Sequence, residues 1–299
     1  MVSESRETVS VVMITYGHQF FIEQAIRGVL IQKGDFDIEL IISNDNSPDE
    51  TDQTVENLRK EFPDHISLKY YSQKVNLGII RNFTFALKKA TGKYIAICEG
   101  DDYWTNSFKL RDQFEFLEKN SEFSLVCHNA EVRYDDIDLK PHNFNNIKNS
   151  VVLHEEQIIN EWIIPTASMF FRRDIIDQLP TWFIQIYSGD YSLALLSMNS
   201  GKIYFINESW CMYRVLKNGT SASSYYKDKM IFVYEQHLKL LDYFNEFSDS
   251  RFQSKILGKI HLLKGEIRFL KALKKSKINA LIFEPKIFLK KVISKIRRK

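Results

Sequence analysis

The sequence is poor in the residues that staple a fold. Its 299 residues hold three cysteines, Cys98, Cys127 and Cys211, far apart and each within an apolar run. That pattern argues against a disulfide frame or a cysteine zinc site and for three reduced core thiols. Long hydrophobic runs are also missing: the stretch from Trp162 to Phe171, bounded by Glu161 and Arg172, falls far short of the ~20 residues a spanning helix needs. The opening MVSESRETVS has no basic segment followed by an apolar one, so no secretory signal is expected and the chain is expected in the cytoplasm. No Gly-x-Ser-x-Gly, Walker A or complete Gly-x-Gly-x-x-Gly motif occurs, and the histidines lack ligand spacing. These gaps set aside the common hydrolase, P-loop and zinc readings.

What is present is a core-forming composition with a divided charge. The 44% hydrophobic and 26% charged fractions suit one large domain, or a domain with an appendage. The formal net charge of +3 hides the division: from Arg251 to Lys299 there are 16 Lys/Arg against two acids, a local +14, which leaves −11 on the rest. An acidic body and a basic end imply two jobs.

The first half alternates strand and helix signals. Val9–Thr15 is a β-branched run that predicts a buried strand, and Phe20 to Leu30 carries apolar residues at helical spacing. Ile38–Ser43 reads as a second strand. Ser47-Pro48-Asp49-Glu50 then reads as a capping box, with Ser47 as N-cap of a helix reaching about Phe62. Extended Ser67–Ser72, helical Gly78 to Ala90, extended Tyr94–Cys98, helical Phe108–Asn120 and extended Phe123–Cys127 continue the rhythm. Such alternation predicts an α/β fold, a mostly parallel sheet flanked by helices. Further on, residues 135–150 read as a polar loop, and Ala167–Phe171 as a return to the sheet before a short helix near Asp174–Leu179. A helix follows Gly189-Asp190, then two strands, Ile203–Ile206 and Trp210–Val215, and a helical pattern from about Asp228. The expected division is a domain over 1–223 and a helical extension over 224–299.

Ligands of such sheets bind outside the carboxyl ends of the strands, and four polar clusters fall there: Thr15-Tyr16-Gly17-His18, Asn44-Asp45-Asn46-Ser47, Asn76-Leu77-Gly78 and Glu99-Gly100-Asp101-Asp102. Glu99, Asp101 and Asp102 make an oxygen-rich set suited to Mg2+ or Mn2+, or else an exposed turn with Asp102 or Asn106 capping the next helix. Asp45 can hydrogen-bond a base or ribose, or form an Asx turn. Ser47, Asp49 and Glu50 are explained by capping alone. Asn76, Gly78 and Asn82 are candidate pocket residues. Asp190 opens a helix and is read from its position as a cap, with a general base as the functional alternative. Arg214 and Lys217 are candidates for phosphate, or part of a solvated loop.

Taken in order, SVVMITYGH, ELIISNDNSPDET, NLGIIRN, ATGKYIAICEGDDYW, TASMFFRR, GDYSLAL and YRVLKNGTSAS resemble the family-2 glycosyltransferases of the GT-A (Rossmann-like) fold, particularly enzymes of bacterial polysaccharide and lipopolysaccharide synthesis. The resemblance runs from Val9 to about Ser223. It implies an inverting, metal-assisted hexosyltransferase-type enzyme that takes a nucleotide-diphosphate sugar to a glycan or lipid-linked acceptor. By position it implies Asp190 as catalytic base, and Thr15, Tyr16, Asp45, Asn76, Gly78, Asn82, Asp101 and Arg214 on the donor side. Glu99, Asp101 and Asp102 would lie at the metal, and Thr166, Ser168 and Arg172 toward the acceptor. The chain departs from the family pattern at Gly17, Asn44 and Leu216, where asparagine, aspartate and histidine are usual. Those departures motivate the alternative of a nucleotide-sugar-binding or scaffolding protein with the same fold and no turnover.

The basic end forms an amphipathic pattern, with Phe288, Leu289, Val292, Ile293 and Ile296 on one face and Lys286, Lys290, Lys291, Arg297 and Arg298 around the other. It suits a helix lying on an anionic leaflet, or a terminal helix packed on the domain. Its charges interleave with aliphatic residues, so no nucleic-acid partner is expected.

Overall fold

The computed structural model describes residues 6–135, 138–216 and 222–275, with the side chains of 222–229 and 275 outside the description. The basic tail, Lys217 and Gly219 therefore lie outside the described residues. The chain divides into two compact units, Met1–Ser221 and Ala222–Lys299.

The first unit begins as a run of strand–helix repeats: β1 (Thr8–Thr15), α1 (Ile22–Leu30), β2 (Asp37–Asn44), α2 (Thr51–Leu58), β3 (Ile66–Ser72), α3 (Ile79–Leu87) and β4 (Tyr94–Ile97). A two-residue β5 (Tyr103–Trp104) precedes α4 (Lys109–Lys119) and the long β6 (Phe123–Tyr134). Then come β7 (His142–Asn143), β8 (Val151–Leu153), α5 (Glu155–Asn160), β9 (Phe170–Arg172), α6 (Asp174–Asp177), α7 (Gly189–Ser200) and β10 (Lys202–Val215). The sheet order is β3-β2-β1-β4-β9-β6-β10-β5, with β7 on β6 and β8 on β10. The parallel ladders β1–β2, β2–β3, β1–β4 and β6–β10 hold most of the paired length. The antiparallel pairings are only two or three residue pairs long.

β1 sends its chain to β2 on one side, while β4 joins from the other side. The point between them is where the strand order reverses, and in open α/β sheets that crevice receives the ligand. The core beneath it is aliphatic: Val9, Val11, Val12, Met13, Leu40, Ile41 and Ile42 are all fully buried. α7 is buried on nearly every side, as its run Leu193–Leu196 requires. α1 approaches β5 closely because Gly28 has no side chain; a Cβ there would sit 2.8 Å from the Trp104 amide nitrogen.

Three local expectations are corrected. Ser47 is not a helix cap: α2 starts at Thr51, whose amide donates to Asp49 Oδ1 at 3.2 Å. Ser47 Oγ instead accepts from the Gly17 amide at 2.9 Å and donates to Asn44 Oδ1. Asn46, at φ 62°, turns the chain so that this loop docks on residues 17–19. The two strands expected at Ile203–Ile206 and Trp210–Val215 are one strand, because polar Asn207–Ser209 is absorbed by shifts of register between Ile206 and Cys211. β6 likewise runs past Cys127, since buried His128 and Asn129 find polar partners, the latter in Asn145.

The second unit is α8 (Ala222–Phe247) and α9 (Gln253–Lys275). Leu240, Leu241, Phe244, Phe252 and Ile256 are buried, with the Phe244 and Phe252 rings stacked 5.7 Å apart. Among the described residues no helix is long and apolar enough to cross a membrane.

Candidate active site

The crevice is built from loops that leave β1, β2 and β4. Thr15 ends β1 and is buried, with its Oγ1 unpartnered; Tyr16 beside it is 50% exposed. Gly17 takes φ 73°, a conformation open to glycine and asparagine but poor for other side chains, which accounts for that departure from the family pattern. Asn44 has an equally local reason. Its Nδ2 donates to Asp52 Oδ1 at 2.8 Å and Tyr70 Oη at 3.1 Å, and its Oδ1 accepts from the Ser47 amide at 3.0 Å. An aspartate there would face Asp52.

Asp45 is buried and accepts two backbone amides, Leu77 at 2.7 Å and Gly78 at 3.0 Å. It thus shapes the loop before α3, where exposed Asn76 caps the Gly78 amide at 3.0 Å and Gly78 takes φ 83°. Asn82 does not reach this crevice: it is 1% exposed and exchanges hydrogen bonds with the Ser43 hydroxyl and carbonyl. Its expected donor role is corrected to pinning α3 against β2.

The loop after β4 separates its three acids. Gly100 and Asp101 form a turn closed by the Asp102 amide on the Glu99 carbonyl at 3.1 Å, which leaves Asp101 partly open while Asp102 is buried. Asp101 Oδ2 lies 3.8 Å from His18 Nε2. Asp102 Oδ1 accepts the Arg214 amide at 2.8 Å, and its Oδ2 is buried without a partner. Burial, then Asp101 and Glu99, push the Asp102 carboxyl well above the usual range. Glu99 is pushed up to about 8 by burial, then by Asp101 and Asp190, against a hydrogen bond from Thr166. Gly100 makes the packing possible: a Cβ would come 2.8 Å from Thr15 Oγ1 and 3.0 Å from His18 Nδ1.

Arg214 is not available for phosphate. It is nearly buried, donates to Asp135 Oδ2, to the Asp101 carbonyl and to Gln24 Oε1, and its guanidinium lies 4.9 Å from the ring centroids of both Phe21 and Tyr103. Its expected donor contact is corrected: Arg214 holds the carbonyl of Asp101 in place.

Asp190 is the second residue of α7, in its first turn, where the helix dipole favours an anion. Its Oδ2 accepts Trp162 Nε1 at 2.9 Å. Burial raises its carboxyl above the ordinary value, opposed by hydrogen bonds from the Tyr191 amide, Trp162, its own amide and Thr166. The Thr166 hydroxyl opposes the upward shift of both Glu99 and Asp190, so it lies between the acidic loop and α7. Thr166 thus lies near Asp190, whereas the other two acceptor candidates are turned elsewhere. Ser168 is fully buried and donates to the Pro165 carbonyl at 2.7 Å. Arg172 pairs with Tyr94 at the start of β4, the far end of the sheet, and donates to the carbonyls of Phe123, Leu117 and Asn120. Both expectations are corrected.

Two participants have no mark in the sequence. Trp162 sits in a loop signature, and nothing local links it to Asp190 across 28 positions. Tyr213 lies among the acids: burial, then Asp102, Glu99, Asp101 and Asp190, push its phenol upward. Its place on β10 brings it there.

The resemblance implies a divalent cation. Among the described residues no group of three His, Cys, Asp or Glu is placed to hold one, so the expected three-carboxylate set of Glu99, Asp101 and Asp102 is corrected. The chemistry of the crevice still fits a cation. Asp101 is an accessible hard ligand, and the Asp102 Oδ2 beside it has no competing donor. One carboxylate with ligand oxygens and water is a common Mg2+ arrangement.

The sequence profile of glycosyl transferase family 2 matches residues 10–179, more than half of the chain, and the chain belongs to that family. An uncharacterised protein of Mycobacterium tuberculosis is 30% identical over 217 residues, 72% of this chain and 61% of that protein. The chain thus spans about three fifths of that relative's length. The Bacillus subtilis minor teichoic acid biosynthesis protein GgaB is 26% identical over 216 residues, 71% of this chain and 23% of its own. Among solved structures, the mannosyltransferase PcManGT of Pyrobaculum calidifontis, in complex with GDP-Man and Mn2+, superposes with a TM-score of 0.59 at 15% identity, over 93% of this chain and 79% of that one. The fold is of the GT-A type.

Proposed function

We propose that the chain is an inverting glycosyltransferase that moves a sugar from a nucleotide-diphosphate sugar to a hydroxyl of a glycan or lipid-linked acceptor in bacterial surface polysaccharide synthesis. The observation that carries this reading is the Asp190 carboxylate, held in the first turn of α7 by Trp162 Nε1 at 2.9 Å. Its upward-shifted pKa makes it a stronger base than a solvated aspartate. The acceptor hydroxyl gives its proton to Asp190 as its oxygen bonds the anomeric carbon from the face opposite the leaving group. The bond from that carbon to the diphosphate oxygen breaks, and its electron pair leaves with the nucleotide diphosphate.

Thr15, Tyr16, Asp45, Asn76 and Gly78 form the donor side in this reading, with Asp45 acting through the loop it holds. Asp101 would hold Mn2+ or Mg2+, which when bound supplies positive charge to the diphosphate. The Mn2+ complex of PcManGT and the teichoic acid role named for GgaB support the cofactor and the pathway class. The domain over 1–223, the helical extension over 224–299 and a peripheral contact of the basic tail with the inner membrane face complete the reading. Asp190→Asn is expected to bind donor like the parent, by thermal shift with UDP- and GDP-sugars, and to lose transfer; near-parental turnover removes Asp190 from the role. Asp101→Asn is expected to lose the Mn2+-dependent part of the thermal shift, and an unchanged shift with and without chelator rejects the metal assignment.

A further inference from the structure

One histidine borders the crevice, and its place there is firmly held. The His18 amide donates to Thr51 Oγ1 at 3.2 Å, its carbonyl accepts the Phe21 and Ile22 amides at 2.9 Å each, and the Phe21 ring packs at a steep angle to the imidazole, 6.4 Å between centroids. The imidazole lies against Gly100, where a Cβ would come 3.0 Å from Nδ1. The other nitrogen, Nε2, lies 3.8 Å from Asp101 Oδ2, with the two side chains 20% and 22% exposed. That separation is too long for a hydrogen bond, yet shorter than two coordination bonds of about 2.1 Å laid end to end. Around the same loop His18 Nδ1, Thr15 Oγ1 and Asp102 Oδ2 are buried with no partner among the described residues. Thr15 and Asp102 are each 2% exposed, and Thr15 Oγ1 would sit 2.8 Å from the same Gly100 Cβ. Buried polar atoms normally find partners, so a cluster left without them marks a place where something polar binds.

We infer that His18 Nε2 is a second protein ligand of the cation at Asp101, and that the site therefore selects a first-row transition ion such as Mn2+ over Mg2+. This rests on the reading of Asp101 as the residue that holds the cation. The family pattern has its usual histidine where this chain carries Leu216, so it does not assign His18. Mg2+ is hard and keeps oxygen ligands, whereas an imidazole nitrogen is a softer donor whose affinity rises along the transition series. A carboxylate alone accepts either ion, so the nitrogen is what makes the site discriminate. The partial exposure of both side chains leaves room for water and the donor diphosphate on the ion. His18 and Asp101 come from the loops after β1 and β4, so an ion held by both also ties the two sides of the crevice together.

Electron paramagnetic resonance on the tag-free full chain tests this, with Mn2+ alone and Mn2+ plus UDP or GDP as probes. Loss of the free-ion signal measures binding, and spin-echo modulation detects a directly bound nitrogen. The parent is expected to show such a nitrogen, and growth with isotopically labelled histidine should change its frequency, which tests the ligand without any substitution. In His18→Gln the nitrogen should vanish and Mn2+ affinity should fall at least about tenfold, since even the outer partners of a metal ligand cost that much. Mg2+ should then displace the remaining Mn2+ more readily than it does in the parent. Circular dichroism melts verify that each variant folds. Bound Mn2+ with no histidine nitrogen in the parent, a nitrogen that persists in His18→Gln, or equal displacement by Mg2+ in parent and variant overturns the inference. Asp101→Asn separates the two readings. If it loses Mn2+ while His18→Gln binds like the parent, Asp101 keeps its role and His18 does not. If Asp101→Asn binds Mn2+ like the parent, or the parent binds none, the cation reading itself falls and this inference with it.

Discussion

Carboxylates at opposite ends of the same sheet have opposite fates. Glu39, on β2, is 3% exposed and saturated with donors: the Ser10 hydroxyl, the Lys69 ammonium, the Thr91 amide and hydroxyl, and the Gly92 amide at 3.0 Å. Burial alone would raise its pKa, but those hydrogen bonds outweigh it and hold the carboxyl below its ordinary 4.5. Glu99 and Asp102, at the carboxyl ends of the strands, receive few donors and face other acids, and both are pushed upward. Burial of charge is therefore no guide to function by itself. What distinguishes the working end is carboxyl groups short of donors and set against one another.

That contrast can be broken from either end. The largest expected effect is at the working end, where Asp190→Asn should lower transfer on the order of 10²–10⁴-fold with the melting temperature preserved; a rate assay on purified protein measures it. Next is Glu39→Gln, which leaves Lys69 without its counter-charge and the Thr91 and Gly92 amides poorly matched. It should lower unfolding free energy by about 3 kcal/mol in urea titration and leave turnover per folded molecule intact. Because the folded pKa of Glu39 is depressed, its contribution is present above 4.5 and is lost as pH falls through the lower folded value, so the parent's extra stability over the variant should vanish in acid.

A third test concerns a buried cation. Lys109 is fully buried, donates to Gln113 Oε1 at 2.7 Å, lies 4.2 Å from the Trp104 ring centroid, and is pushed down to about 7 by burial. The unfolded chain holds that proton up to 10.5, so stability should rise with pH between about 7 and 10.5. Lys109→Met should flatten that rise and stabilise the protein at pH 7 by on the order of 2 kcal/mol, read from melts across the pH range. The smallest effect is expected from Asp102→Asn. The amide oxygen can still accept the Arg214 N–H while the cost of burying an ionisable group is removed, so stability should hold or rise by about 1 kcal/mol. A fall like that of Glu39→Gln would erase the distinction between the two ends.

How much of this was legible follows from range. The strand and helix pattern of the first 120 residues can be read because period-2 and period-3.6 signals are local, and the four polar loops could be placed at one rim on strand order alone. The register shifts that join Ile203 to Val215 in one strand could not, because they depend on pairing with β6. Adjacency misled at Glu99, Asp101 and Asp102, which sit together in the chain but differ in exposure. It misled at Arg214 as well, whose partners Gln24, Asp101 and Asp135 lie 190, 113 and 79 positions away.

By itself, the order of residues determined the repeating strand–helix architecture and which acids border the crevice, since each is dictated by neighbours within a few positions. Only the tertiary structure decided which of those acids keep an open face, that Arg214 and Arg172 are spent inside the protein, and that Trp162 meets Asp190. Those outcomes depend on competition among donors and acceptors brought together by folding, and no local pattern encodes who wins.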